Sequence, residues 1–204
     1  MRLSVVEVEA RFGTRRLFTS VSFEVAAGQV IAVVGPSGSG KSTLLAIASG
    51  LLRADSGEVS VLAGDGAAAR TVSPWCAWVP QGAGNLGART AIDNAMLGGL
   101  GSGLGRREAR ALAMVALDRV DLIDHARARA SALSGGELQR LAIARALCLA
   151  RPFLFADEPT GALDVANTQH VFRLFRKAAG DGSGVVIATH DLSIAEQCDH
   201  LVEL

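Results

Sequence analysis

Residues 30–42 decide the fold of this chain and read Val30-Ile31-Ala32-Val33-Val34-Gly35-Pro36-Ser37-Gly38-Ser39-Gly40-Lys41-Ser42. The first five are apolar, as in a strand that is buried on both faces. The next eight match G-x-x-x-x-G-K-[ST], and a helical pattern begins at Ser42. Glycines let backbone N–H groups turn inward around phosphates, and the following helix adds the positive end of its dipole. This order of strand, loop and helix predicts a nucleotide phosphate site. The simpler alternative is a glycine-rich turn that binds nothing.

Polar residues follow two further apolar runs. Asp157-Glu158 comes after residues 153–156, and His190 comes after residues 185–189. In open parallel sheets, ligands gather at the carboxyl ends of the strands. The phosphate loop, Asp157-Glu158 and His190 therefore point to one active site. Two simpler interpretations remain open, because an Asp-Glu pair after a strand is often a helix start and a lone histidine is usually structural.

A second motif narrows the function. It reads Leu133-Ser134-Gly135-Gly136-Glu137-Leu138-Gln139-Arg140. With residues 153–158, the segment 159–164 (Pro-Thr-Gly-Ala-Leu-Asp), Gln81 and His190, it resembles the motif set of the ATP-binding cassette (ABC) ATPases from about Val5 to the C-terminus. Ser134-x-x-Glu137 is also a capping box, which predicts a structural role for Ser134 as a helix cap. That role does not exclude a functional one.

The resemblance implies a role for each matching residue of the reaction centre. Lys41 would reach the terminal phosphates of ATP, with Ser42 and Asp157 holding Mg²⁺. Glu158, in a helix-like turn that points it away from Asp157, would polarise the attacking water. His190 would contact the γ-phosphate. Gln81 would touch both Mg²⁺ and the water.

It also implies a wider ATP-binding set. The whole loop from Gly35 to Ser42, with Thr43, would hold the phosphates, and Phe12 would stack on adenine where the family usually has Tyr. The alternative for Phe12 is a core position in a β lobe. Ser134, Gly135, Gly136 and Asp164 would complete the site of a second cassette that faces the first head to tail.

The expected fold class is α/β. It comprises a P-loop NTPase core with a mainly parallel sheet, an antiparallel β lobe and a small helical subdomain. We expect a single ABC ATPase domain over residues 1–204, with the helical part at about 85–145 inserted in the core. Within it, helices are expected over 91–97 and 108–120, with a glycine-rich link over 98–105. The short segment 64–75, and a chain end soon after His190 where relatives add a strand and a short helix, indicate a minimal cassette.

Bulk properties exclude several classes of protein. Half of the 204 residues are hydrophobic, and 20 basic residues balance 20 acidic ones. There is no basic tail, so no nucleic-acid partner is expected. Cys76, Cys148 and Cys198 lack metal-site spacing and are expected to be reduced thiols. No apolar run approaches 18 residues, and charges near the N-terminus disfavour a signal peptide.

The resemblance therefore predicts the ATP-hydrolysing subunit of an ABC transporter that powers a separate integral membrane permease. It is most similar to the lipoprotein-release, macrolide-export and peptide-export branch. ATP and Mg²⁺ are the expected cofactors. A homodimer or paired cassette would form on ATP, peripheral to the cytoplasmic face of the cell membrane. The permease would meet the cleft near Gln81 and segment 85–100, where Leu86, Ile92, Met96 and Leu97 could either make contacts or pack internally. The alternatives are a soluble cassette acting on DNA or ribosomes, and a regulatory nucleotide-binding module.

Overall fold

A computed structural model describes residues 1–64 and 67–204, so Asp65 and Gly66 of the short segment 64–75 lie outside the described residues. The chain forms two compact units. The first unit contains residues 1–78, 151–161 and 175–204, and the second contains residues 79–150 and 162–174. In the described ranges, no helix is long and apolar enough to cross a membrane.

The described strands are β1 (Arg2–Phe12), β2 (Arg15–Ala26), β3 (Val30–Val34), β4 (Ser56–Leu62), β5 (Ala68–Ala69), β6 (Cys76–Val79), β7 (Phe153–Asp157), β8 (Gly184–Ala188) and β9 (His200–Glu203). The described α-helices are α1 (Lys41–Ala48), α2 (Ala91–Gly101), α3 (Arg106–Arg119), α4 (Gly135–Leu147), α5 (Val165–Gly180) and α6 (Leu192–Ala195). Single turns of 3-10 helix lie at Ser73–Trp75, Ile123–His125 and Ala130–Ala132.

The first unit is built on a sheet of order β6-β7-β8-β3-β9. Strand β3 pairs in parallel with β8 and β9, and β7 pairs in parallel with β8. Every residue of β3, β7 and β8 is buried, which is why these strands read as unbroken apolar runs rather than alternating ones. The parallel sheet predicted from those runs is confirmed.

An antiparallel sheet of order β2-β1-β4-β5 forms the rest of the first unit's β structure. Leu3 of β1 lies opposite Val25 of β2 and Val61 of β4, and all three are buried. These side chains belong to one core cluster with Leu44 of α1 and Phe153 of β7. The predicted α/β class, with an antiparallel β lobe beside a parallel core, is therefore confirmed.

The second unit contains α2, α3, α4 and the first part of α5, residues 165–174. The glycine-rich link expected over 98–105 is wrong for its first half, because α2 continues to Gly101. A Cβ on Gly98 would lie 2.1 Å from the carbonyl oxygen of Arg145 in α4. Glycine is therefore required there by close helix packing, which composition alone cannot distinguish from a flexible link. The proposed bounds of the helical subdomain, about 85–145, stay a prediction.

Two elements follow His190 that the sequence reading did not identify, α6 and β9. Strand β9 pairs with β3, with His200 opposite Ile31. Asp199 anchors its start, because its Oδ2 accepts a hydrogen bond from the backbone N–H of Val30 at 2.7 Å. The strand is short and mostly exposed, so it lacks the apolar signal of its neighbours.

We expect Gly184→Ala to destabilise the first unit. A Cβ at this position would lie 2.8 Å from Cδ1 of Phe153 and 3.0 Å from the carbonyl oxygen of Ala26. Overpacking of this kind costs about 1–3 kcal/mol, measured as the free energy of unfolding in denaturant. The control is Gly180→Ala at the end of α5, where no described atom lies within 4 Å of the added carbon. Equal stability of the two variants would contradict this packing.

Candidate active site

The phosphate loop holds its backbone open toward a ligand. Gly38 and Gly40 have φ of 78° and 103°, in the left-handed region that favours glycine. Gly40 caps α1 through its backbone, and no described side chain accepts from the first amides of that helix. The Ser39 hydroxyl is buried without a hydrogen-bond partner among residues 1–64 and 67–204. Unpaired donors of this kind fit a phosphate group.

Lys41 is turned into its own loop. Its Nζ donates to the carbonyl oxygens of Gly35 at 2.9 Å and Pro36 at 3.2 Å. It also lies 3.6 Å from Oε1 of Glu158, and the side chain is only 7% exposed. The ammonium therefore has several anionic or carbonyl partners at the point where phosphates would enter.

Asp157 is the last residue of β7, and its Oδ1 accepts a hydrogen bond from the Ser42 hydroxyl at 2.8 Å. Burial raises the pKa of this carboxyl, and the Ser42 hydrogen bond partly opposes that rise. One hydroxyl and one carboxylate suit Mg²⁺, which keeps few protein ligands and takes phosphate and water oxygens for the rest. The described chain contains no group of three or more His, Cys, Asp or Glu residues that could hold a metal on their own.

Glu158 does not lie in the helix-like turn that the sequence suggested. Its φ is 45°, a left-handed conformation that is uncommon for a residue other than glycine. Its N–H donates to the carbonyl of Ala188 at 2.9 Å, and its Oε2 lies 2.8 Å from Nδ1 of His190. The turn separates the two carboxylates as expected, since Asp157 contacts Ser42 while Glu158 contacts His190 and Lys41.

The first unit therefore brings together five of the predicted site residues, Lys41, Ser42, Asp157, Glu158 and His190. Strands β3, β7 and β8 end at one edge of the sheet, and these residues follow or terminate those strands. His190 is accessible to solvent, with 65% of its side chain exposed. The arrangement couples a carboxylate to a histidine beside a phosphate loop, which is suited to positioning a water against a phosphate.

Phe12 ends β1 beside a turn at Gly13 and is 79% exposed. The alternative of a core position in the β lobe is therefore wrong. An aromatic ring held in solvent on a hairpin is available for stacking, and the adenine contact stays a prediction. Like the phosphate loop and Thr43, Phe12 belongs to the first unit.

Gln81, Ser134, Gly135, Gly136 and Asp164 belong to the second unit. Ser134 forms the predicted capping box of α4, with its hydroxyl accepting from the N–H of Glu137 and the Glu137 carboxylate accepting from the Ser134 N–H at 2.8 Å. The hydrogen bond from the Ser134 backbone is the main reason that the pKa of Glu137 is lowered. Gln81 is exposed in the turn after β6.

Asp164 caps α5, a role that the sequence reading missed. Its carboxylate accepts from the N–H of Asn167 at 2.8 Å and from the Asn167 side-chain amide at 3.0 Å. These bonds lower the pKa of Asp164. The signal was an acidic residue directly before a helical pattern, which is the usual place for a helix cap. Asn167 also packs on Gly136, where an added Cβ would lie 2.6 Å from its Oδ1.

The apolar residues considered for permease contact divide into two groups. Leu86 and Leu97 are exposed, whereas Ile92 and Met96 are buried inside the second unit. Internal packing, the alternative left open by the sequence, therefore applies to the buried pair.

The three cysteines are free, and burial raises the pKa of Cys76 and Cys148 to about 12 and that of Cys198 to about 11.

A family model described as ABC transporter matches residues 18–161, more than half of the chain. This chain belongs to the ABC transporter family. The lipoprotein-releasing system ATP-binding protein LolD of Koribacter versatilis is 40% identical over 93% of this chain and 88% of its own length. An ABC transporter ATP-binding protein of Mycobacterium tuberculosis is 37% identical over 98% of this chain, which spans only 62% of that relative's length.

Solved ABC cassettes have the same fold. The ATP-binding cassette MJ0796, in a dimeric post-hydrolysis structure bound to ADP and Pi, superposes with a TM-score of 0.83 over 99% of this chain and 94% of its own, at 29% identity. The resemblance to the ABC ATPases that was inferred from the motifs is thereby confirmed. The predicted class of protein, an ABC ATPase cassette, is confirmed as well. ATP is the nucleotide that this family binds.

Asp157 and Asp164 should affect stability in opposite directions. Because burial raises the folded-state pKa of Asp157, its ionised form opposes folding at neutral pH. We expect Asp157→Asn to raise the free energy of unfolding at pH 7 by about 1 kcal/mol, with Asn still able to accept from Ser42. The gain should disappear as pH falls below the ordinary Asp pKa, where both states are protonated.

Asp164→Asn is the matched comparison. A lowered pKa means that ionised Asp164 stabilises the fold above the ordinary Asp pKa, and this contribution is lost as pH falls through the folded-state pKa. We therefore expect a loss of stability at pH 7 that vanishes in acid. Denaturant unfolding of both variants at several pH values measures the two trends, and parallel trends would contradict the assignment.

Proposed function

We propose that this chain binds and hydrolyses ATP as the nucleotide-binding subunit of an ABC transporter and powers a separate membrane permease. One observation carries the proposal. Within a single unit, Ser42 bonds to Asp157 while Glu158 contacts both Lys41 and His190, all at the carboxyl edge of buried parallel strands. Phosphoryl transfer depends mainly on positioning and charge stabilisation, and these contacts supply both.

The proposed mechanism assigns each of these side chains one task. Lys41 exchanges the carbonyl oxygens of Gly35 and Pro36 for the terminal phosphates. Ser42 and Asp157 would hold Mg²⁺, which would neutralise charge on the phosphates. The Glu158 carboxylate accepts a hydrogen bond from the attacking water and so orients it. His190 donates from Nδ1 to Glu158 and thereby fixes the direction of that carboxylate. Gln81 is also proposed to contact the water and Mg²⁺, as the family resemblance implies.

Hydrolysis is proposed to require two cassettes. Ser134, Gly135, Gly136 and Asp164 would complete the site of the facing copy, and Phe12, the phosphate loop and Thr43 would hold the nucleotide of their own. The dimeric state named for the MJ0796 cassette with ADP and Pi supports this arrangement. The proposed unit of function is one cassette over residues 1–204, with a helical subdomain at about 85–145.

The proposed partner is an integral permease, which would hold the chain at the cytoplasmic face of the membrane. Several relatives are lipoprotein-releasing ATP-binding proteins, at 40% to 43% identity, which supports an export or lipoprotein-release type of system. The alternative of a soluble cassette on DNA or ribosomes predicts a different partner. A regulatory module without turnover would bind ATP and release no phosphate.

We expect Glu158→Gln to retain ATP binding and lose turnover. The amide keeps the size of the side chain but is a poor acceptor for a water proton, and such groups contribute roughly 100-fold or more to rate. ATP affinity and phosphate release are measured on the purified protein. Glu196→Gln, an exposed glutamate after α6, is the control and should hydrolyse ATP normally. Near-normal turnover in Glu158→Gln would refute the role of Glu158.

The same variant tests the partner. Tagged Glu158→Gln protein with ATP is recovered from detergent-solubilised membranes of the source cell and its bound proteins are identified. A stoichiometric multi-span membrane protein is the expected result, and it should be reduced when ATP is omitted. Recovery of ribosomes, nucleic acid or soluble protein alone would overturn the transporter proposal and favour the soluble cassette.

Phe12→Ala should weaken ATP binding about tenfold, because stacking of a base on an aromatic ring contributes roughly 1–3 kcal/mol. Phe12→Tyr should bind as tightly as the parent chain, since the ring face is retained. Val6→Ala, another exposed apolar residue of β1, is the control. Calorimetric titration with ATP gives the three affinities, and an unchanged affinity in folded Phe12→Ala would exclude stacking.

A further inference from the structure

Helices α4 and α5 contact each other at two points that lie one turn apart. At the first, Gly136 of α4 packs on Asn167 of α5 so closely that a Cβ would lie 2.6 Å from Oδ1. At the second, Nη1 of Arg140 lies 3.3 Å from Nδ1 of His170. The spacing is four residues on α4 and three on α5, so both pairs belong to one face of each helix. The second contact therefore fixes the register of the first.

The protonation of His170 follows from its two partners. A guanidinium can only donate, so Nδ1 of His170 accepts from Arg140 and carries no proton. Nε2 lies 3.0 Å from Oδ2 of Asp121, so that nitrogen carries the proton and donates it to the carboxylate. A neutral imidazole with its proton on Nε2 satisfies both partners, the guanidinium and the carboxylate. A doubly protonated ring would direct an N–H at the guanidinium and break the contact.

Asp121 occupies a position where glycine is favoured. The N–H of Leu122 bonds to the carbonyl of Leu117 at 2.8 Å and that of Asp121 to Asp118 at 3.1 Å, which is the Schellman ending of α3. The residue in left-handed conformation there is Asp121, with φ of 54°. Glycine would satisfy the backbone better. What aspartate adds is the carboxylate that accepts from His170.

Arg140 depends on this contact. Its Nε is buried and has no hydrogen-bond partner among the residues that the structure describes. Nη1 reaches His170, which is only 26% exposed. A half-buried guanidinium with a buried Nε that loses its acceptor is poorly compensated, so removal of His170 should let Arg140, and the start of α4 with it, shift.

We propose that His170 is a positioning residue for ATP hydrolysis. Through Arg140 and Asp121 it sets the register between α4, which Ser134 caps, and α5, which Asp164 caps. It thereby fixes how these two helix starts meet the nucleotide of a second cassette. This inference rests on the proposed function, and it concerns three residues that none of the cassette motifs requires to act together.

Three variants of α5 test the role of the ring. His170→Leu removes both hydrogen bonds, whereas His170→Gln supplies an acceptor for Arg140 and a donor for Asp121. We expect kcat to fall about tenfold in His170→Leu, with ATP affinity of the isolated cassette unchanged, and to recover in His170→Gln. Arg173→Leu, an exposed residue one turn along the same helix, should match the parent chain. Equal kcat for His170→Leu and the parent, or no recovery in His170→Gln, overturns the proposal.

Substitution of Asp121 separates positioning from stability. Asp121→Gly relieves the left-handed backbone and should leave the unfolding midpoint unchanged or higher, yet kcat should fall as in His170→Leu. Asp121→Asn tolerates the same backbone and retains an acceptor oxygen, so it should keep most of the activity. If activity simply follows the unfolding midpoint across these variants, the residue is structural and the proposal fails.

A measurement without ATP distinguishes this inference from the proposed function. Amide hydrogen exchange over residues 134–140 and 164–170 should accelerate several-fold in His170→Leu and not in His170→Gln. The ¹⁵N shifts of the ring should report a proton on Nε2 and none on Nδ1 at neutral pH. A parent chain that neither binds nor hydrolyses ATP would refute the proposed function. Unchanged exchange, or a proton on Nδ1, would refute the His170 contact itself.

Discussion

The register of the parallel strands is the constraint on which the site depends. Ala188 of β8 lies opposite Asp157 of β7 on one side and Val33 of β3 on the other. Two backbone bonds continue these ladders past the strand ends, from Glu158 to Ala188 and from Thr189 to Val33. Because side chains alternate along a strand, a slip of one residue would turn Asp157 away from Ser42. Complete burial of the three strands makes such a slip costly, so packing far from solvent specifies the geometry of the charged groups.

The burial that fixes the strand register also changes the electrostatics of the charged residues at the carboxyl ends of the strands. The charged residues stand on the ends of strands with wholly buried side chains, where water competes less for their contacts. The pKa of Asp157 is raised for this reason, and Lys41 takes its partners from the loop and from Glu158. The left-handed backbone conformation of Glu158 is also maintained by its surroundings. Strained conformations persist where the surroundings determine them, and here a ladder bond and His190 do so.

The buried strands and the phosphate loop could be predicted from the sequence. Burial on both faces and phosphate binding each require a contiguous pattern of residues. Features that arise between distant residues had no such signature. Gly98 to Gly101 read as a link, yet they complete α2, and Arg145, far along the chain, approaches Gly98 so closely that a side chain would not fit there. The conformation of Glu158 depends on a histidine 32 residues away, and the exposure of Phe12 on how β1 pairs. Asp121 reads as a surface acid until its contact with His170 is known.

Groups proposed to meet the nucleotide already have partners within the chain. Lys41 bonds to loop carbonyls, the Ser42 hydroxyl to Asp157, the Ser134 hydroxyl to Glu137, and the Asp164 carboxylate to Asn167. Binding must exchange these bonds for new ones, so only the difference contributes to affinity. A neutral or singly charged ligand gains little from such an exchange. On the proposed function, a triphosphate would offer enough acceptor oxygens and charge to displace Lys41 from the loop carbonyls, so these internal bonds would act as a threshold that favours the nucleotide over weaker anions.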